Sequence, residues 1–344
     1  MKLFRRAKTT SPTMTLEGVL GQNNRLDEAQ ARPAAGARAI AVAADGALLV
    51  AQDRALVRIK DWQAEGQIVH RVADRILALC LSAQGAIALV CEGGALHVLA
   101  PDFTPDRSWP QTSGIAAASD ALFTSESEML ILDGGIGSGE DSLARATWDD
   151  SAKGAVVRLA QDGTRHVLAG DLHAPAGLCM GPDGPLITQM ERACISDASG
   201  RVMRGGLPGY LGRLRPVAGG YLLACLARRD PLIEFLKTEH AFVAEMKRTI
   251  APAHWISPRI DPAFSHDFPI EMGATRLFGQ VKAWAPSFSY GLLIELDDQL
   301  RPTGSAHSRA NGARHGICDA LVWQGATIAL CLGTGELLRL ETEE

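Results

Sequence analysis

A short apolar strand, a glycine-bearing turn and a second apolar strand recur along this chain, and that repeat limits its fold more than any other feature. Ala39-Ile40-Ala41-Val42 runs through Asp45-Gly46 into Ala47-Leu48-Leu49-Val50. Leu77-Ala78-Leu79-Cys80 turns at Gln84-Gly85 into Ala88-Leu89-Val90. The same design recurs around Asp183-Gly184, Gly219-Gly220 and Gln324-Gly325. Glycine accepts the positive φ that a two-residue hairpin turn demands, so each unit reads as an antiparallel hairpin. A more polar strand of the form apolar-apolar-Arg-apolar follows several of them, as in Leu56-Val57-Arg58-Ile59, Val156-Val157-Arg158-Leu159 and Leu337-Leu338-Arg339-Leu340.

Gly46 and Gly85 lie one propeller blade apart, about 40 residues. A further unit with a weaker turn fits Ile115 to Leu132. The units begin near residues 38, 75, 115, 175, 212 and 315, which predicts an all-β, six-bladed β-propeller over 37–344 preceded by an N-terminal arm, 1–36. Helical windows between strands are almost absent, which disfavours a doubly wound α/β fold. Only 5% of residues are aromatic. Ala, Gly, Leu and Cys suit inner strands that crowd towards a central channel. The period breaks once, in the fifth blade, where residues 230–290 form an insertion. Leu232, Phe235, Leu236, Phe242, Val243 and Met246 recur at helical spacing behind Pro231 and predict a helix over 231–250; a second is expected over 270–284. The insertion reads as a helical cap on one propeller end, a lid over the channel mouth, or a membrane-surface helix, the last disfavoured because the apolar face carries too few flanking cations.

The net charge of -5 gives no basic face for nucleic acid. No stretch is long and apolar enough for a membrane span, and the basic start, Met1 to Arg6, has no apolar run behind it. The seven cysteines are single, lack C-x-x-C spacing and mostly sit in apolar runs, as buried small hydrophobes would. These features predict a cytoplasmic protein. Gly134-Gly135-Ile136-Gly137-Ser138-Gly139 lacks the Lys-Ser/Thr of a phosphate loop and reads as an inter-strand loop.

Leu207-Pro208-Gly209-Tyr210, Gly219-Gly220-Tyr221 and Ala227-Arg228-Arg229-Asp230-Pro231-Leu232 resemble segments of the strictosidine synthase-like proteins. Trp148-Asp149-Asp150, Pro175-Ala176-Gly177, Gly181-Pro182-Asp183-Gly184 and Tyr290-Gly291-Leu292-Leu293 resemble further segments of that family, in the family's order. The resemblance spans about residues 36–341 and extends to the broader SMP-30/gluconolactonase-like six-bladed propellers. It implies a small-molecule site at the channel mouth, lactone or ester hydrolysis, and a calcium ion held by acidic and amide oxygens. Carried over residue by residue, the calcium positions fall on Arg38, Ala176, Gly212, Arg213 and Gln189. None is a carboxylate, so a degenerate metal site and no metal cofactor are expected.

Two arginines at those positions suggest that the pocket grips an anion directly, since a guanidinium fork matches carboxylate and phosphate. Arg38, Asp133, His173, Gln189 and Arg213 are the candidate ligand-binding residues. The competing reading pairs the arginines with acids such as Asp133 or Asp319 and closes the channel. His315 and Asp319 are the candidate catalytic residues, in the stretch that matches the family's last-blade glutamate. A structural hydrogen-bonding role competes for His315, and Cys318 is a further candidate. The function that follows is action on a small anionic molecule, of the lactone or ester hydrolase type; a non-catalytic binding protein or an interaction scaffold is the alternative.

Overall fold

The computed structural model describes residues 15–137, 139, 141–267 and 274–341. Among the described residues, six sheets are arranged as propeller blades and a seventh is a two-stranded hairpin. Blade one comprises Ala37–Val42, Leu48–Gln52, Ala55–Ile59 and Gln67–Arg71, paired in that order. Blade two has the strands Ile76–Leu81, Ile87–Cys91 and Leu96–Leu99, with isolated bridges to Pro105 and Thr112 along its outer edge. Blade three runs from Ala118 to Leu172, blade four from Pro175 to Arg204, and blade five from Gly209 to Ser308. Blade six takes Ile317–Trp323, Ala326–Cys331 and Glu336–Leu340, and completes itself with Gln30–Pro33.

That last pairing differs from the expected arm. Gln30 lies opposite Arg339 and Pro33 opposite Glu336, so residues before Gly36 supply the outermost strand of the last blade, and the ring closes by hydrogen bonds between segments from opposite ends of the chain. The remainder of the fold follows from strand periodicity. Within a blade, alternate side chains face opposite neighbours. Each of the six junctions between adjacent blades consequently has its own apolar core. The polar outer strand Gln67–Arg71 stays largely accessible, whereas every residue of Ile87–Cys91 is buried. Crowding near the axis explains the small inner residues: a Cβ on Gly177 would come within 2.7 Å of the Arg213 Cα.

The insertion leaves blade five after Arg228 and returns at Gly291. Arg229 anchors it. The buried guanidinium donates to the Met190 and Glu191 carbonyls at 2.6 and 2.8 Å, pairs with Glu234 at 2.8 Å and lies over the Tyr210 ring. Asp230 then caps the helix Pro231–Leu236 by accepting from the Leu232 N–H. The expected long helix is broken: Pro231–Leu236 and His240–Thr249 are separate, joined by a tight turn. Of the second helix expected over 270–284, Ala274 and Thr275 are helical, after which Arg276–Leu277 and Gln280–Val281 form a two-stranded hairpin; residues 268–273 lie outside the described residues. A seventh apolar cluster, including Trp148, Ile233, Met246 and Trp255, packs the insertion onto the channel-mouth end of the propeller.

Candidate functional site

Two layers occupy the channel axis. The deeper layer is a buried ionic network. Arg213 and Arg215 stand two residues apart on the inner strand of blade five and so project on the same side. The Arg213 Nε donates to Asp120 Oδ1 at 3.1 Å, and its Nη1 lies 3.5 Å from Asp319 Oδ2. Its other donors reach the main-chain carbonyls of Arg38, of Leu77 at 2.7 Å and of Ser119 at 2.8 Å. Arg215 bridges the same two acids, at 2.8 Å to Asp120 Oδ2 and 3.0 Å to Asp319 Oδ1. Asp120 and Asp319 are fully buried, and each also accepts a backbone N–H, from Leu178 and Ile40 respectively. Two guanidiniums balance two carboxylates. Burial opposes the charge on Arg215, but the two acids outweigh it and hold its pKa above the usual arginine value.

Above this plug the inner strands open into a cavity of ≈ 230 Å³. Arg38, Arg75 and Arg213 supply its charged lining, and Leu77, Ile136, Leu143, Met190 and Ile260 are among its apolar walls. No aspartate, glutamate or histidine lines it among the described residues. Arg213 is spent on the network below. Arg38 and Arg75 have no salt bridge among the described residues, and Arg38 is exposed. A larger cleft of ≈ 780 Å³ lies off the axis, between the outer strands of blades six and one, and shares Arg75 with the mouth. The axial cavity is the candidate site because inner strands of several blades converge on it.

The sequence-derived candidates scatter around this cavity. Arg38 and Arg213 both reach it, one at the rim and one in the floor. Asp319 sits in the floor network, beneath Arg213. His315 is buried outside the lining, with Nε2 2.9 Å from the Arg309 carbonyl and its ring stacked on Tyr290. Burial lowers its pKa to about 4, so it is neutral at physiological pH. Asp133 accepts from the Gly135 N–H and stabilises the loop below the rim. Gln189 accepts the His173 N–H at 3.0 Å and donates to Ser196 at 2.9 Å, while the His173 ring lies against Arg192. These last two belong to the blade-four edge and do not line the cavity.

Asp120, Arg215 and Arg75 escaped the sequence reading. The first carried a readable signal: Asp120-Ala121-Leu122 repeats Asp319-Ala320-Leu321 at matching positions of blades three and six. Opposite blades of a six-membered ring place those acids across the channel from each other. The other reactive groups at the mouth are Ser119, Ser142 and Cys318. The Ser119 hydroxyl donates to the Pro175 carbonyl at 2.9 Å. Burial pushes the Cys318 thiol up to about 12, away from the thiolate a nucleophile needs.

The calcium that the family resemblance implies does not fit these residues. Calcium needs several hard oxygen ligands together, and no group of three His, Cys, Asp or Glu suited to a metal occurs among the described residues. The oxygens that do converge on the axis are already bound by a guanidinium.

No family model matches the chain, and no curated protein does. Solved structures do match in fold. A calcium-binding protein, regucalcin, from Agrobacterium tumefaciens superposes with a TM-score of 0.53 at 10% identity, covering 90% of each chain. A putative gluconolactonase gives 0.53 at 15% identity over 92% of each chain. A luciferin-regenerating enzyme gives 0.53 at 8% identity, over 90% of this chain and 92% of its own. The shared feature is the six-bladed propeller, in agreement with the resemblance read from the sequence motifs.

Proposed function

We propose that the channel mouth binds a small anionic molecule with an apolar body, held at its charged end by Arg38 and Arg75. The observation that carries this reading is the pair of guanidiniums without salt bridges over apolar walls in a cavity whose described lining contains no acid. An arginine fork binds carboxylate or phosphate bidentately, and a ligand's hydrocarbon part gains by leaving water. The neutral ion network below forms a rigid floor that offers no further charge. Seven unpaired cysteines support a reducing, cytoplasmic setting. Calorimetric titration with a panel of small carboxylates and phosphate monoesters tests the binding. A hit should weaken at least tenfold in Arg38→Ala and Arg75→Ala, which should stay folded because Arg38 is exposed and neither side chain has a salt bridge. Equal affinity in both variants would sink the reading.

A lactone or ester hydrolase at the same mouth is the second reading, favoured by the fold likeness to a putative gluconolactonase. It lacks a base at the cavity, because His315 and Asp319 are engaged elsewhere. Turnover of aryl esters or lactones that resists EDTA and disappears in Cys318→Ala or Ser119→Ala would establish it over binding alone.

A further inference from the structure

We propose that the hairpin of the blade-five insertion is a membrane-surface anchor that docks the channel-mouth end of the propeller onto anionic lipid. Arg276 pairs with Val281 and Leu277 with Gln280, leaving Phe278 and Gly279 as the two-residue turn. Both have positive φ, 51° and 81°. Such turns favour Asn, Asp or Gly at the first position, and a bulky residue there is a backbone outlier. Phenylalanine nevertheless occupies it and gains no packing in return: Phe278 is 98% exposed. Leu277 beside it is 55% exposed, and Trp284 just beyond the hairpin is 75% exposed. A ring kept at a strained turn position and wholly in water has a role outside the folded core.

The chemistry around the ring selects the occupant. Residues 274–285 include Arg276 and Lys282 and no acid. The ring and Leu277 suit the acyl boundary, tryptophan suits the headgroup level, and the two cations suit an anionic surface. Arg276 is shared with Asp267 at 3.3 Å, whereas Lys282 has no salt bridge among the described residues. Leu226, just before the insertion, and Ile260, within it, line the mouth cavity, so the insertion that carries the hairpin packs at the end where the cavity opens.

Flotation of the full chain with vesicles of phosphatidylcholine alone, or containing 30 mol% phosphatidylserine, tests the proposal. The expected result is binding to the anionic vesicles that falls at least tenfold in Phe278→Asn, a substitution that suits the turn and leaves the melting temperature unchanged or higher. Lys282→Glu should weaken anionic binding about fivefold or more, with little change on neutral vesicles. No binding of the natural chain at millimolar lipid, or equal binding by Phe278→Asn, would overturn it. So would a lipid-free dimer that Phe278→Asn dissociates while vesicle binding is absent, since the surface would then be a protein contact.

Discussion

Arg213 shows how one side chain settles the use of a whole channel. Its guanidinium meets two buried carboxylates and three carbonyls, so removing it leaves Asp120 and Asp319 facing Arg215 alone. Breaking a buried pair from one side commonly costs 3–5 kcal/mol, about the range expected for Arg213→Ala in denaturant unfolding. Arg213→Lys should recover little of the loss, because an ammonium cannot make the forked contacts. Histidines set a second residue-level property. Burial lowers His307 and His315 to about 4 from an ordinary value of 6.5. The unfolded chain therefore takes up their protons first as pH falls. Their contribution to stability is complete above about pH 6.5 and is lost progressively down to about pH 4, at up to about 1.4 kcal/mol per pH unit for each. Unfolding midpoints measured between pH 7 and 4 should fall accordingly, and less steeply in His315→Gln. The sequence marked His315 as a titratable group near the site; its neutrality and its distance from the cavity come from packing against Tyr290 and the Arg309 carbonyl.

Blade strands were legible because turn chemistry and two-residue periodicity are local. Gly46, Gly85 and Gly219 all have the positive φ their turns demanded, and the Arg-bearing strands stand third in their sheets. Two elements were not legible in the same way. Gln30–Pro33 is an outer strand only because Glu336–Leu340 lies beside it, and nothing in Gln-Ala-Arg-Pro announces pairing to the far end of the chain. A chain starting at Gly36 should lose that ladder. Its melting temperature should drop, and the amides of residues 336–340 should exchange faster than those of the inner strand Ile317–Trp323. Unchanged protection there would show that the closure adds no stability. The insertion is the other case. Its helical periodicity up to Thr249 was real, but Arg276–Val281 pairs as a hairpin although its flanks carry helix-compatible residues.

At the scale of the whole molecule, six apolar seams join the blades, a hydrogen-bonded N-terminal strand completes the last of them, and the axis is filled by protein charge. Stability should consequently be indifferent to divalent cations: millimolar EDTA or calcium should shift the melting temperature by less than about 1 °C, whereas a larger shift would reveal a cation site that the donor set does not suggest. Sequence by itself determined the blade period, the fifth-blade insertion and the absence of carboxylates at the motif-matched positions, because each is written in neighbouring residues. Tertiary structure alone decided which charges meet. Asp120 and Asp319 lie in blades three and six and become neighbours of Arg213 and Arg215 only when the ring closes. Once buried together those groups must neutralise one another, and that pairing leaves Arg38 and Arg75 as the mouth arginines without a salt bridge among the described residues.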